Sequence, residues 1–188
     1  MADDYLWLEN IDGNEALAWV RKQNEAAAQT LANRDSFARI KDDIRGALDS
    51  DEKIPAVSKV GDYYYNFWRD STHVRGIWRR TTPASYATDN PEWETVLDID
   101  ALAQTEEENW VWHGALLLRE DLPDGNRTYR RALVSLSRGG ADANVTREFD
   151  LETKQWVEGG FYRPESKGGM SWIDQDTVFV FTDTGEGS

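Results

Sequence analysis

The chain has 188 residues, 39% hydrophobic and 30% charged, a globular composition with room for one ordinary domain or a little more. It has no cysteine and two histidines, which excludes disulfide frameworks, cysteine metal sites and thiol nucleophiles. A formal net charge of −14 repels phosphate backbones and argues against a nucleic-acid partner.

No apolar run approaches the roughly 18 residues that a membrane span requires, so no membrane partner is expected. The opening Met-Ala-Asp-Asp lacks the basic-then-apolar order of a signal peptide, and the expected location is cytoplasmic.

Residues 1–53 read as a helical segment. Tyr5-Leu6-Trp7-Leu8 is an apolar cluster without a helix of its own, an anchor that docks elsewhere. Leu17, Val20, Asn24, Ala27 and Leu31 recur at helical spacing, with Asp12 and Glu15 placed like a capping pair. Phe37, Ile40, Ile44 and Leu48 mark a second helix capped by Asp35 or Ser36. Asp49 to Lys53 is a charged break, and Pro55 forbids further helix.

Residues 54–188 read as strands. Val57 to Val60, a Gly61-Asp62 turn, Tyr63 to Arg69, Ile77 to Thr82 and Trp93 to Ile99 form four successive antiparallel strands. In the second, Tyr63, Tyr65 and Phe67 share one face and Tyr64, Asn66 and Trp68 the other. An acidic loop, Gln104 to Asn109, leads to a second set. Its strands are Trp110 to Leu118, Tyr129 to Ser137 (with Val134 and Leu136 expected on opposite faces), Val145 to Phe149 and Lys154 to Val157. The turns between them are Asp121 to Thr128, Gly139-Gly140 and Asp150 to Thr153.

From Met170 a short strand, an Asp174-Gln175-Asp176 turn and the longer Thr177 to Phe181 repeat the opening order of the first set. Repeats of four strands point to a β-propeller. Two sets and a fraction fall short of the roughly four blades that close one, so the chain is expected to be the N-terminal piece of a longer protein. Its last strand then carries an open edge that invites self-association.

No catalytic constellation holds. Gly169-Met-Ser171-Trp-Ile173 lacks the second glycine of a nucleophile elbow. His73 reads as a loop residue and His113 as a strand residue, too far apart in sequence for a paired-histidine metal motif. Gly139-Gly140 and Gly159-Gly160 are turn pairs without the lysine or helix that phosphate binding uses. Asp98 and Asp100 are expected to share a strand face and Asp174 and Asp176 to bracket a turn; local turn and edge chemistry accounts for both pairs. The nine tryptophans could stack sugars, but packing between sheets explains their alternating positions better. No catalytic, cofactor-binding or metal residue is therefore assigned.

Several motifs carry a resemblance. Asp4-Tyr5-Leu6-Trp7-Leu8-Glu9-Asn10-Ile11-Asp12-Gly13, Ala16-Leu17-Ala18-Trp19-Val20 and Gln23-Asn24 resemble the opening of prolyl oligopeptidase-family serine peptidases. Tyr65-Asn66-Phe67-Trp68 and Gly76-Ile77-Trp78-Arg79-Arg80-Thr81 are similar to that family's first blade. Trp110-Val111-Trp112-His113-Gly114, Leu136-Ser137-Arg138-Gly139-Gly140, Arg147-Glu148-Phe149-Asp150-Leu151 and Gly159-Gly160-Phe161 continue the likeness in order. Asp4 departs from the family's usual proline and Asn10 from its frequent aspartate.

The resemblance implies a mainly β chain with an N-terminal α-helical segment, an incomplete propeller whose parent has seven blades and an α/β-hydrolase domain. It implies a cytoplasmic serine oligopeptidase that hydrolyses short peptides after proline, its access gated by the propeller. The helical segment would pack on the hydrolase domain, and the Ser-Asp-His triad would lie beyond residue 188, leaving this segment inactive alone. The alternative is a stand-alone propeller-type module binding peptide or carbohydrate.

Overall fold

In the computed structural model, which describes residues 3–10, 12–183 and 185, the chain folds as two units, Met1–Ser50 and Asp51–Ser188. In the first, Leu6–Glu9 form a short 3-10 helix, so the Tyr5–Leu8 cluster does have local helical structure. Trp7 Nε1 donates to the Asp4 carbonyl at 3.1 Å, and its ring meets Trp19 edge-on at 6.2 Å. Helix α1, Asn14–Ala27, runs into a π-helical turn, Ala28–Ala32.

The cap of α1 is Gly13 with no side-chain bond, which corrects the Asp12–Glu15 pairing. The Gly13 amide donates to the Asn10 carbonyl at 2.8 Å, and a β carbon on Gly13 would lie 2.9 Å from Asn10. That tight turn starts the helix one residue later than Asp12 requires. Helix α2, Asp35–Asp49, follows Arg34 and also lacks a side-chain cap. Asp35 is already helical; its carboxylate sits in the first turn, where the helix dipole favours negative charge. Phe37, Ile40 and Ile44 recur at helical spacing along α2, each about half exposed.

The second unit opens with a four-stranded antiparallel sheet in sequence order: β1 (Ser58–Val60), β2 (Tyr63–Trp68), β3 (Ile77–Thr81) and β4 (Glu94–Asp98). Gly61 turns the first hairpin at φ +55°, a conformation that costs glycine little. The loop after β3 holds a short helix, α3 (Pro83–Tyr86), whose Thr82 cap accepts from the Ser85 amide.

A further helix, α4 (Ile99–Glu106), replaces the end of the expected fourth strand and the first half of the expected acidic loop. Asp98 caps it, accepting from the Ala101 amide at 2.9 Å, while Ile99 and Ala103 turn inward at helical spacing. Asp98 and Asp100 therefore do not share a strand face: one is a cap, the other lies in the first helical turn.

The second sheet has the order β10-β9-β8-β5, with β11 also along β9. Its strands are β5 (Trp110–Leu117), β8 (Arg131–Arg138), β9 (Asn144–Asp150), β10 (Gln155–Trp156) and β11 (Tyr162–Ser166). A two-residue ribbon, β6 (Glu120–Asp121) with β7 (Arg127–Thr128), carries the Asp121–Thr128 turn. The outer strand is thus in two pieces, and β11 was not anticipated from sequence. Val134 and Leu136 do not lie on opposite faces; two residues apart in a strand, they share one, and both are fully buried. Last comes the hairpin β12 (Gly168–Asp174) with β13 (Thr177–Thr182).

The two sheets bury their aromatic faces on each other. Phe67 stacks on Trp112 at 5.1 Å with the rings 7° from parallel, and Trp78 lies 5.3 Å from Trp112 and 6.4 Å from Phe149. Val134, Leu136, Val145 and Ile99 complete this core. These tryptophans pack sheet to sheet. Two blade-like sheets and the beginning of a third form an incomplete propeller with no closed sheet among the described residues.

Candidate functional site

A concavity of about 520 Å³ opens where the outer strand of the second sheet is broken. Between β10 and β11 the chain bulges through Glu158, Gly159, Gly160 and Phe161, and Glu148 of β9 fills the gap. Its carboxylate accepts from the Phe161 amide at 2.9 Å, and its own amide donates to the Phe161 carbonyl at 2.9 Å. A β carbon on Gly160 would lie 2.7 Å from that carboxylate, so the close approach requires glycine.

Arg131 Nη1 bonds Glu148 at 3.2 Å, and Arg130 Nε reaches Asp150 at 3.1 Å and Glu152 at 3.3 Å. Burial pushes the Asp150 carboxyl up, but the amides of Thr153 and Glu152, each at 2.9 Å, and the Arg130 guanidinium outweigh it and hold it below its usual range. The wall carries the carboxylates of Glu120, Glu148, Glu158 and Asp176 against the guanidiniums of Arg130 and Arg131. This excess of negative charge suits a cationic or hydrogen-bond-donating group. It offers no nucleophile.

His73 sits in the loop after β2, its Nδ1 3.0 Å from an Asp70 oxygen. Asp70 also accepts from the amides of His73 and Thr72 and from Trp68 Nε1, at 2.7, 2.9 and 2.8 Å. Burial opposes ionisation of Asp70, yet these donors together hold its carboxyl well below the usual range. The pair organises its loop, and no described hydroxyl hydrogen-bonds to the imidazole to extend it toward a catalytic relay.

His113 is exposed at a bulge in β5, opposite the register shift between Trp112 and Gly114. Asp174 and Asp176 bracket the β12–β13 turn, where Asp174 accepts from the Asp176 amide at 2.9 Å. Ser171 lies within β12. Gly139 and Gly140 form the β8–β9 turn at φ +65° and +83°. Among the described residues no group of three histidine, aspartate or glutamate side chains could hold a metal. The concavity itself was not legible from sequence, although Gly159-Gly160 marks where the outer strand breaks.

Stacked antiparallel sheets of four and five strands with aromatic seams define the protein as a β-propeller component. A family model described as prolyl oligopeptidase, N-terminal beta-propeller domain, matches residues 1–187, and the chain belongs to that family. An uncharacterized peptidase, y4nA, of Sinorhizobium fredii is 38% identical over 180 residues, covering 95% of this chain and 24% of the relative. A second, RP174 of Rickettsia prowazekii, is 31% identical over 181 residues, 92% of this chain and 24% of the relative.

Among solved structures, a post-proline cleaving enzyme from Rickettsia typhi superposes with a TM-score of 0.81 at 30% identity, over 96% of this chain and 26% of that one. A structure from work on two prolyl endopeptidases shares the fold at a TM-score of 0.56 and 15% identity, over 92% of this chain and 23% of that one. The chain thus spans about a quarter of the length of these relatives. No helix among the described residues is long and apolar enough to cross a membrane.

Proposed function

We propose that the chain is the propeller-bearing N-terminal part of a cytoplasmic serine peptidase that hydrolyses short peptides after proline, with the propeller restricting access to the active site. The observation that carries this reading is the likeness to the Rickettsia typhi post-proline cleaving enzyme over nearly the whole chain. In this reading the hydroxyl nucleophile and its base are supplied by chain outside residues 1–188.

In the same reading Tyr5, Trp7 and Leu8 dock on the hydrolase domain; Tyr5 is 64% exposed within its own unit. Burying three such side chains stabilises by roughly 1.5–3 kcal/mol each. The combined Tyr5→Ala and Trp7→Ala change should lower the full-length protein's stability accordingly, and an unchanged unfolding midpoint removes the docking role.

The test of function compares fluorogenic peptides bearing proline, alanine or arginine before the scissile bond. Full-length protein should cleave the proline reporter and react with a fluorophosphonate, whereas the 188-residue chain should do neither. A full-length enzyme that prefers arginine refutes the post-proline assignment. Stoichiometric labelling of a serine in the short chain, abolished by mutating that serine, refutes the absence of a nucleophile.

A further inference from the structure

The two faces of the second sheet differ in kind. Ala132, Val134 and Leu136 of β8 face the aromatic core with Val145 and Phe149. The opposite face carries a polar row: Ser135 pairs with Thr146, and Thr146 pairs with Arg163 of β11. Directly paired residues share a face, and Ser137, two residues from Ser135, belongs to the same one.

On that face Arg163 is 2% exposed and is the largest fully buried side chain among the described residues. Its Nη1 donates to the Ser166 carbonyl at 3.0 Å and to the Ser166 hydroxyl, and its Nη2 to Asn144 Oδ1 at 2.5 Å and Thr146 Oγ1 at 3.3 Å. All these acceptors are neutral. The fifth N–H, on Nε, has no partner, and neither has the hydroxyl of Ser137, which is 0% exposed.

Two other part-buried guanidiniums in this unit are compensated. Arg131 faces Glu148, and Arg79 lies between the rings of Trp68 and Trp93 at 4.2 and 4.1 Å. Arg163 has neither a carboxylate nor a ring, and burial alone pulls its pKa down. A buried cation left with neutral partners is strongly disfavoured, because hydrogen bonds replace lost solvation only in part. A water molecule could satisfy both orphan groups but would leave the charge uncompensated.

We infer that Arg163 and Ser137 hold a small monovalent anion of the halide class between the second sheet and the β12–β13 hairpin. The Arg163 Nε–H and the Ser137 O–H are its donors, and the anion neutralises the buried guanidinium. Register puts Ser137 on the strand flanking the one that the Arg163 side chain crosses: the guanidinium reaches Asn144 of β9, whose strand neighbour Val145 pairs with Leu136 beside Ser137. The site would make anion supply a determinant of how firmly the hairpin region is held.

The test uses full-length protein crystallised in sodium bromide, with diffraction measured at the bromine absorption edge. An anomalous peak in contact with Arg163 Nε and Ser137 Oγ is expected. In solution, unfolding is followed at constant ionic strength as bromide replaces gluconate, an anion too large for the site. Stabilisation should grow with bromide concentration above the dissociation constant. In Ser137→Ala, which removes one donor and leaves the guanidinium in place, bromide affinity should fall roughly tenfold or more. In Arg163→Met the bromide dependence should vanish, and if that variant does not fold, the wild-type and Ser137→Ala results still decide. A water without anomalous signal at the site overturns the inference, as does a carboxylate from chain outside residues 1–188. A bromide peak without bromide-dependent stability in solution shows an adventitious ion only and also overturns it.

Discussion

Trp112 is the side chain on which the first two sheets meet, and its removal tests whether that seam holds them together. The ring stacks on Phe67 at 5.1 Å and contacts Trp78 at 5.3 Å. Two aromatic pairs contribute about 0.5–1.5 kcal/mol each beyond area burial. Because Trp112 is only partly buried, its truncation falls toward the lower end of the roughly 3–5 kcal/mol typical of Trp→Ala in cores. We expect Trp112→Ala to destabilise by about 3 kcal/mol, which at an m-value of about 1–3 kcal/mol/M lowers the urea midpoint by about 1–3 M. The assay is equilibrium unfolding followed by far-ultraviolet circular dichroism, which does not depend on the deleted fluorophore. The neighbouring His113→Ala is the control: exposed at the bulge, it should change stability by less than about 0.5 kcal/mol. Equal shifts for the two variants, or a Trp112→Ala shift within error of zero, would falsify the claim that ring packing joins the sheets.

Three further outcomes follow from local geometry. Glu94 accepts from Arg80 and Lys154, both at 2.6 Å, and its pKa is pulled down to about 2, so its contribution to stability is present above its ordinary value near 4.5 and is lost as pH falls toward 2. Glu94→Gln should flatten the acid limb of the stability profile over that window; an unchanged limb would show that other carboxylates set it. Gly168 has φ +144°, and a β carbon there would lie 2.2 Å from the Phe181 carbonyl oxygen, so Gly168→Ala should abolish amide protection in β12–β13 while leaving β8–β9 protected. Retained protection in the hairpin would contradict this. Finally, Phe179 and Phe181 are 62% and 67% exposed, and the isolated 188-residue chain should self-associate through this hairpin; a sharp monomer by light scattering would show that it does not.

The legible parts of the fold are those specified by nearest-neighbour chemistry. Period-two alternation in Tyr63–Trp68 and the Gly61 and Asp150–Thr153 turns are local signals, and their strands fell close to where the pattern put them. Helix α4 was missed although its signal is equally local: Asp98 followed by Ile99, Leu102 and Ala103 is a cap with helical spacing, obscured by the acidic run after it. The caps of α1 and α2 went the other way, since Asp12 and Asp35 look like caps but the preceding turns set the helix starts. The concavity at Glu148 and the buried Arg163 could not be read at all. Both depend on β10 and β11 sharing one edge of β9, a pairing that no short window of sequence reveals.

The interruption of that outer edge has a kinetic side. β8 and β9 are locked between neighbours on both flanks, whereas the β12–β13 hairpin is tied to the second sheet by few bonds, among them the Trp172 indole to the Leu116 carbonyl at 2.9 Å and the Ser166–Thr182 hydroxyl pair at 2.6 Å. Under mechanical load the tension runs along the backbone through Lys167 into an element whose internal ladder is intact but whose lateral anchorage is slight. Such an element peels away as a unit before either larger sheet yields, and it rejoins without having to refold. Force spectroscopy should register the hairpin as a small, reversible extension well ahead of the cooperative rupture of the two sheets.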